Sequence, residues 1–226
     1  MKVLIFDTET TGLPTDYNAS INDVHKWPHV VQLSYIYYDT ETKALLKVGD
    51  HLIKVGPDVL ITPQSIAIHH ITPEICQEKG EPLLAVLEAF NALVKNADLV
   101  VGHNLSFDKR VLQVECRRLL ISHSFAPNPT ASHQTPREFC TMQAGTAICA
   151  IPKVNPRTSQ TYYKYPSLVE LHRHLFGGGL PRGTHNALGD VLLTLRCYGQ
   201  MQHGHDIAVD AGVDAQLQEL LISTCL

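Results

Sequence analysis

The sequence has no apolar run approaching bilayer-spanning length, no CxxC pair, no internal repeat, no low-complexity segment and no surplus of positive charge. Each absence removes a class of protein. Without about 20 consecutive apolar residues, no membrane-spanning helix and no membrane partner are expected. The opening residues, MKVLIFDTET, turn acidic too soon for a secretory leader. The expectation is therefore a soluble, intracellular chain, cytoplasmic if its source is prokaryotic. Cys76, Cys116, Cys140, Cys149, Cys197 and Cys225 lie scattered, which favours buried thiols over disulfides or a structural zinc site. A formal net charge of −4 argues against a protein that coats nucleic acid by bulk electrostatics.

What is present is ordinary globular material: 226 residues, 44% hydrophobic and 18% charged, enough to bury one substantial core. One domain over residues 1–203 is expected, followed by an acidic and helical tail over 204–226. The charge is unevenly placed. Between Phe139 and Gly189 the only acid is Glu170, against Lys153, Arg157, Lys164, Arg173 and Arg182. The tail carries Asp206, Asp210, Asp214 and Glu219 with no Lys or Arg. A basic stretch of this kind is compatible with a local nucleic-acid site.

Three strands open the chain. KVLIF is apolar on both faces, as a central strand would be. His29–Asp39 is rich in Val, Ile and Tyr, and Ala44–Val55 reads as a third strand interrupted at Gly49–Asp50. Short connections between them suggest an antiparallel meander. Helical spacing then takes over at Leu83, Val86, Leu87, Phe90 and Val94, with Pro82 in the first turn. Asp98–Gly102 is a short strand, and Ser106–Ile121 a helix with Ser106 as N-cap. Ser167 and Glu170 form a capping box for a helix that stops near Gly177. A last helix carries Leu188, Val191, Leu192 and Leu195 as its stripe, and Ser122–Arg137, rich in Pro, Ser and His, reads as a mobile surface loop. The class is α/β with a mixed central sheet flanked by helices.

Three acidic positions disturb this pattern. Asp7 and Glu9 end the first strand on the same side as Val3 and Ile5. Two carboxylates continuing a buried row repel and lose hydration unless a cation joins them; taken alone, they also suit a solvated strand end. Asp108 shares a helix stripe with Val111, Leu112, Glu115 and Leu119, where it also complements the helix dipole. Asp190 lies beside the stripe of the last helix, five residues after His185. Five residues turn a helix about 140° beyond a full turn, so His185 belongs on the loop before that helix, free to reach the same centre.

Phe6-Asp7-Thr8-Glu9-Thr10-Thr11-Gly12-Leu13, His103-Asn104-Leu105-Ser106-Phe107-Asp108 and His185-Asn186-Ala187-Leu188-Gly189-Asp190 resemble, in order and separation, the three motifs of the DEDDh 3′→5′ exonuclease family. That family includes the proofreading epsilon subunit of bacterial DNA polymerase III, ribonuclease T and oligoribonuclease. Ile68-His69-His70-Ile71-Thr72 is similar to the family's His-Gly-Ile-Thr stretch, with His70 where glycine is usual, and Tyr165-Pro166-Ser167-Leu168 through Phe176-Gly177 is also similar to many members. The resemblance covers residues 1–200 approximately. It implies an RNase H-like fold and two Mg²⁺ or Mn²⁺ ions, about 4 Å apart, held by Asp7, Glu9, Asp108 and Asp190. Asp7 would bridge both ions, Glu9 and Asp190 would complete the site of the attacking water, and Asp108 would serve the other ion. His185 would be the general base. Substrate handling would fall to Thr10, Gly12, Leu13, His69, Asn104 and Phe107, with Leu13 wedged against the last base and Gly12 allowing close backbone approach.

The partner implied is nucleic acid with a free 3′ end, DNA in preference to RNA. An RNA 3′ exonuclease is the alternative enzyme, a proofreading subunit docked on a polymerase combines catalysis with partnership, and a binding module that has lost catalysis is the non-enzyme reading. All five motif residues are present, which disfavours the last. Within KVNPRTSQTYYKY, residues 153–165, Lys153, Arg157 and Lys164 interleave with Tyr162, Tyr163 and Tyr165. That pattern suits either a solvated loop or a wall that holds the strand.

Overall fold

The computed structural model describes residues 1–125, 135–178, 186–210 and 212–225. Strand β1 (Lys2–Thr10) extends the KVLIF run, and β2 (Val30–Asp39) and β3 (Ala44–Leu52) follow it in an antiparallel meander. On the other side of β1 lie β4 (Leu99–Gly102) and β5 (Arg137–Cys140), both parallel. The sheet order is β3-β2-β1-β4-β5, so β1 is interior and must be apolar on both faces.

Helices α1 (Pro63–His69), α2 (Pro73–Lys79) and α3 (Leu83–Asn96) separate β3 from β4. Helix α4 (Leu105–Arg118) leads towards β5, and α5 (Thr141–Cys149) leaves it. A two-stranded hairpin, β6 (Pro152–Val154) and β7 (Thr161–Tyr163), precedes α6 (Leu168–Phe176), α7 (Ala187–His203) and α8 (Ala215–Cys225). One face of the sheet, through Leu4 and Phe6, packs on α3 and α4 residues Val86, Leu87, Phe90, Val111 and Leu112. Each such fully buried side chain contributes about 1.5–3 kcal/mol. The other face, through Val3 and Ile5, packs on Val191, Leu192 and Leu195 of α7 and on Leu217 and Leu221 of α8.

Several local expectations change. The first connection, residues 11–29, is long, and α4 holds it in place. Arg118 donates to the carbonyls of Val24 and Trp27 (both 2.6 Å) and Pro28 (3.0 Å), while Arg110 donates to those of Tyr17 and Ala19 and lies over the Trp27 ring. Gly49–Asp50 does not interrupt β3. The Tyr35 ring covers Gly49, where a Cβ would collide with it. Helix α4 begins at Leu105 with Asn104 as its left-handed N-cap (φ 67°), which leaves Ser106 inside the first turn. It ends at Arg118, so Leu119 caps the helix and is exposed instead of extending the buried stripe. Pro82 precedes its helix, and the Ser167–Glu170 capping box is present. Helices α1, α2 and α5 and strand β5 were not expected. Thr62-Pro63 and Thr72-Pro73 carried the signal for the first two: each Thr caps its helix from N-cap, with Pro in the first turn. Of the expected loop over 122–137, residues 126–134 lie outside the described residues.

The acidic segment after α7 folds back on that helix through a buried arginine. Arg196 donates through Nε and Nη2 to both oxygens of Asp206, at 2.9 and 2.6 Å. Its Nη1 donates to the Cys225 carbonyl (2.8 Å) and to His172 Nε2 (2.9 Å), and its guanidinium stacks over Phe176. Burial, then the neighbouring Arg196 charge, lowers the His172 pKa to about 4, so the ring is a neutral acceptor.

Asp206→Ala would strand Arg196 without its counter-charge and is expected to cost about 3–5 kcal/mol near neutral pH. Burial alone would raise the Asp206 pKa, but the hydrogen bonds and charge of Arg196 bring it below the ordinary value. The contribution of the pair is therefore full above about pH 4 and fades as acid titrates the folded-state carboxylate. Urea unfolding of wild type and variant across this range checks it: a stability gap that persists undiminished into strong acid contradicts the assignment.

Candidate active site

Strand β1 outruns its parallel neighbour. The pairing with β4 covers Val3–Leu99, Leu4–Val100 and Ile5–Val101 and then stops, while β2 continues opposite, Ser34 beside Asp7 and Gln32 beside Glu9. The end of β1 is therefore open on one edge. Strand alternation puts Asp7 and Glu9 on the face covered by α7. There Asn186 caps α7 by accepting from the N–H groups of Leu188 (3.1 Å) and Gly189 (3.4 Å), which sets Asp190 in the first turn. One carboxylate oxygen from each of Asp7, Glu9 and Asp190 lies within 4.8 Å of the others, and all three residues are half-buried.

Asp108 reaches the same strand from the opposite layer. The left-handed turn at Asn104 starts α4 directly after β4, and Asp108 lies in its first turn. Its Oδ1 accepts from the Thr8 amide (3.1 Å) and the Thr8 hydroxyl (2.7 Å). The fold thus brings Asp7, Glu9, Asp108 and Asp190 to one strand end. His185 lies outside the described residues; Asn186, directly after it, opens α7.

A cavity of about 320 Å³ adjoins Glu9, lined among others by Thr10, Gly12, Leu13, His69 and Phe107. Each wall residue has a local reason to be there. The Thr10 hydroxyl donates to the Gly12 carbonyl (2.7 Å), closing the turn after β1. A Cβ on Gly12 would come within 3.1 Å of the Thr62 methyl, so glycine allows the α1 cap to sit close. His69 takes the Ile71 N–H at Nδ1 (3.0 Å), so its Nε2 carries the proton and donates to the Thr10 carbonyl (3.2 Å). Backbone therefore engages both nitrogens, and His69 meets the cavity as a ring wall. His70, where glycine is usual in the resembled motif, has φ 61° and caps α1. Phe107 both lines the cavity and packs on the core. Leu13 is 71% exposed at the rim. Asn104 is exposed and serves locally as a backbone turn.

An exonuclease family model named for RNase T matches residues 4–198. The chain belongs to the RNase T exonuclease family. This bears out the resemblance carried by the three motifs. No functionally curated protein matches the chain. Among solved structures, the fold is similar to E. coli exonuclease I in a zinc-bound complex with single-stranded DNA (TM-score 0.62, 18% identity, 89% of this chain and 41% of that one). It is similar to the same enzyme with a dA16 oligonucleotide (0.62, 18%, 98% and 43%) and to a product-bound exonuclease I (0.63, 17%, 98% and 46%). At this identity the likeness is one of fold, the expected RNase H-like mixed sheet. The RNase T-family chain spans less than half the length of the exonuclease I chains.

The electrostatics of the carboxyl cluster follow from burial first and crowding second. Burial, then Asp108, Asp190 and Glu9, raises Asp7 well above the carboxylate range. Burial, then Asp190 and Asp108, raises Glu9 to about 8. Burial raises Asp108 to about 7 against the opposing hydrogen bonds from Thr8. A donor set made only of carboxylate oxygens, held against its own repulsion, fits a hard divalent cation.

Two residues behind the cluster were missed. Gln32 donates to Asp50 (2.7 Å) and accepts from the Ala187 N–H (3.4 Å), tying the start of α7 to β3, and Ser34 donates to the same Asp50 oxygen (2.6 Å). The signal available was two polar residues inside the otherwise apolar VVQLSYIYY. His103, between β4 and α4, donates from Nε2 to the Pro166 carbonyl (3.1 Å) and meets the Thr141 hydroxyl at Nδ1 (3.0 Å). Burial lowers its pKa to about 4 and keeps it neutral.

Carboxyls with raised folded-state values bind more protons folded than unfolded, so stability falls as pH rises between the two values. With chelator present, the melting temperature is expected to drop from about pH 5 to 8. Mn²⁺ should restore it most at the alkaline end, and Asp7→Asn should flatten the profile. A melting temperature indifferent to both pH and Mn²⁺ in the wild type contradicts a cation-binding cluster.

Proposed function

We propose that the chain is a 3′→5′ exonuclease that releases nucleoside 5′-monophosphates from the 3′ end of a single nucleic-acid strand, DNA in preference to RNA. The observation that carries this reading is the convergence of Asp7, Glu9 and Asp190 beside a cavity walled by Thr10, Gly12, Leu13 and Phe107. An acid cluster next to a slot with an exposed leucine at its lip suits the trimming of a terminal nucleotide. Family membership supports the reaction class. The single-stranded DNA in the similar exonuclease I structures supports the choice of sugar.

In this reading Asp7, Glu9, Asp108 and Asp190 would hold two divalent ions, Mg²⁺ or Mn²⁺. When bound, such ions set positive charge against the scissile phosphate and make water acidic enough to attack near neutral pH. Thr8 holds the Asp108 carboxylate in orientation through two hydrogen bonds. His185 accepts the proton of the attacking water as general base. Leu13 presses on the last base, Gly12 and Thr10 offer backbone to the terminal nucleotide, Phe107 packs beside it, and the His69 ring closes the slot. Asn104 sets the turn that carries Phe107 and Asp108 forward. Matched deoxy- and ribo-oligonucleotides test the sugar directly: faster cleavage of the ribo-strand would reassign the chain to RNA.

Asp7→Ala is expected to abolish most turnover while the chain keeps its fold, as followed by circular dichroism and release of mononucleotide. Wild-type rates for that variant with excess Mn²⁺ would remove the cluster from catalysis. His185→Ala should lower kcat by about 10²–10⁴-fold, and the wild-type rate should climb with pH through the histidine range near 6.5 and then level. Because no ligand is lost, the metal-dependent rise in melting temperature should survive. Normal turnover by this variant at saturating substrate would make His185 structural.

A further inference from the structure

The β6–β7 hairpin presents aromatic surface that the fold leaves uncovered. Tyr162 is 45% exposed, Tyr163 57%, Tyr165 59% and Val154 58%. Two three-residue strands have little stability by themselves, and this pair is held at its root. The Lys164 N–H donates to the Ile151 carbonyl (3.0 Å). The Lys164 ammonium reaches both oxygens of Glu170 at 2.6 Å. His103 holds the Pro166 carbonyl directly after Tyr165. The residue that anchors the hairpin thus lies on the same turn that launches Asp108 towards β1.

Register separates the two faces. Lys153 pairs with Tyr162, while Pro152 pairs with Tyr163 and Val154 with Thr161. By strand alternation Tyr162 and Lys153 share one face of the hairpin, and Lys164, just past β7, is committed to Glu170. Tyr163, Pro152 and Val154 share the other face, and the exposed Tyr165 follows two residues on. Tyr163 and Tyr165 are two residues apart, a backbone span of at most about 7 Å, close to twice the 3.4 Å rise of stacked bases. Arg157 is at the turn, where the Asn155 side chain accepts from the amides of Arg157 (2.9 Å) and Thr158 (3.3 Å). Neither Lys153 nor Arg157 forms an ion pair among the described residues, and Glu170, the only acid from Phe139 to Gly189, is neutralised by Lys164. The hairpin therefore offers exposed rings and two cations without an ion pair among the described residues, and no free acid of its own stretch competes for them.

We propose that this hairpin is a platform for the nucleic-acid strand upstream of the scissile bond, with Tyr163 and Tyr165 stacking on bases and Lys153, on the Tyr162 side, and Arg157, at the turn, tracking phosphates from its edge. This rests on the nuclease reading and extends it to the substrate's length. A dinucleotide ends before the platform, whereas a longer strand leaving the cluster past the His103 turn meets Tyr165 first and then Tyr163. Stacking tolerates any base, because every base has a π-face, so the platform confers preference for length and not for sequence.

The test uses the full chain and two variants, Tyr163→Ala/Tyr165→Ala and Lys153→Glu/Arg157→Glu. KM is measured on a deoxydinucleotide and on 20-mers of dT and of U, and binding of the labelled 20-mers is followed by anisotropy in chelator across a salt series. The tyrosine variant is expected to raise KM on the 20-mer at least tenfold beyond any change on the dinucleotide. The charge variant should weaken 20-mer binding, with a salt slope shallower by about 1.4 for two lost phosphate contacts. Affinity and slope equal to wild type in both variants overturn the proposal and leave the rings to a protein partner, as does a wild-type chain that binds neither 20-mer. Cleavage of no substrate by the wild type defeats the nuclease reading instead, and the anisotropy arm then decides the platform on its own. Should the tyrosine variant lower the melting temperature, the charge variant, altered only at exposed positions, carries the decision through its slope.

Discussion

Mutual repulsion among the carboxyls at the end of β1 is the constraint around which the rest is arranged. Four acidic groups from three elements meet there, and burial together with neighbouring carboxyls raises the proton affinity of Asp7, Glu9 and Asp108. Such a cluster is unfavourable by itself and persists only where the surrounding fold over-determines it. The scaffold supplies that on every side. Thr8 gives Asp108 two hydrogen bonds, Asn186 caps the helix of Asp190, and Gln32 ties that helix to the neighbouring strands.

Geometry of the sheet makes the convergence possible. Because β4 ends while β1 continues, the far end of β1 is open, and helices on opposite faces of the sheet can reach the same strand. Asp7 and Glu9 face α7, yet Thr8, pointing the other way, meets Asp108 from α4. One strand thus collects acids from both layers. The two large cores, Leu4 and Phe6 on one side and Val3 and Ile5 on the other, keep that strand immobile behind them. Precision at the site is a product of double-sided burial a few residues upstream.

Polar anchors elsewhere use an arginine to organise backbone carbonyls. Arg118 and Arg110 collect the carbonyls of the long first connection. Arg196 collects Asp206, His172 and the Cys225 carbonyl, so the acidic segment joins the second core. The β6–β7 hairpin is held at its root by Lys164 and His103, and its rings are exposed. Among the described residues, no helix is long and apolar enough to cross a membrane.

The sequence alone determined the interior strand, the meander, the main helical stripes, the three motifs and, through them, the family. These depend on contacts that are near in sequence or periodic along it. Tertiary structure decided what pairing at a distance produces. Gly49 continues a strand because a ring from β2 covers it. Asn104, and not Ser106, starts α4 because β4 must turn at once into the helix. His69, expected at the substrate, is engaged by the backbone of Thr10 and Ile71. Lys164, read as a phosphate contact, is taken by Glu170. In each case a polar or glycine residue has several partners open to it along the chain, and only folding, by burying some and excluding water from others, selects the one it keeps.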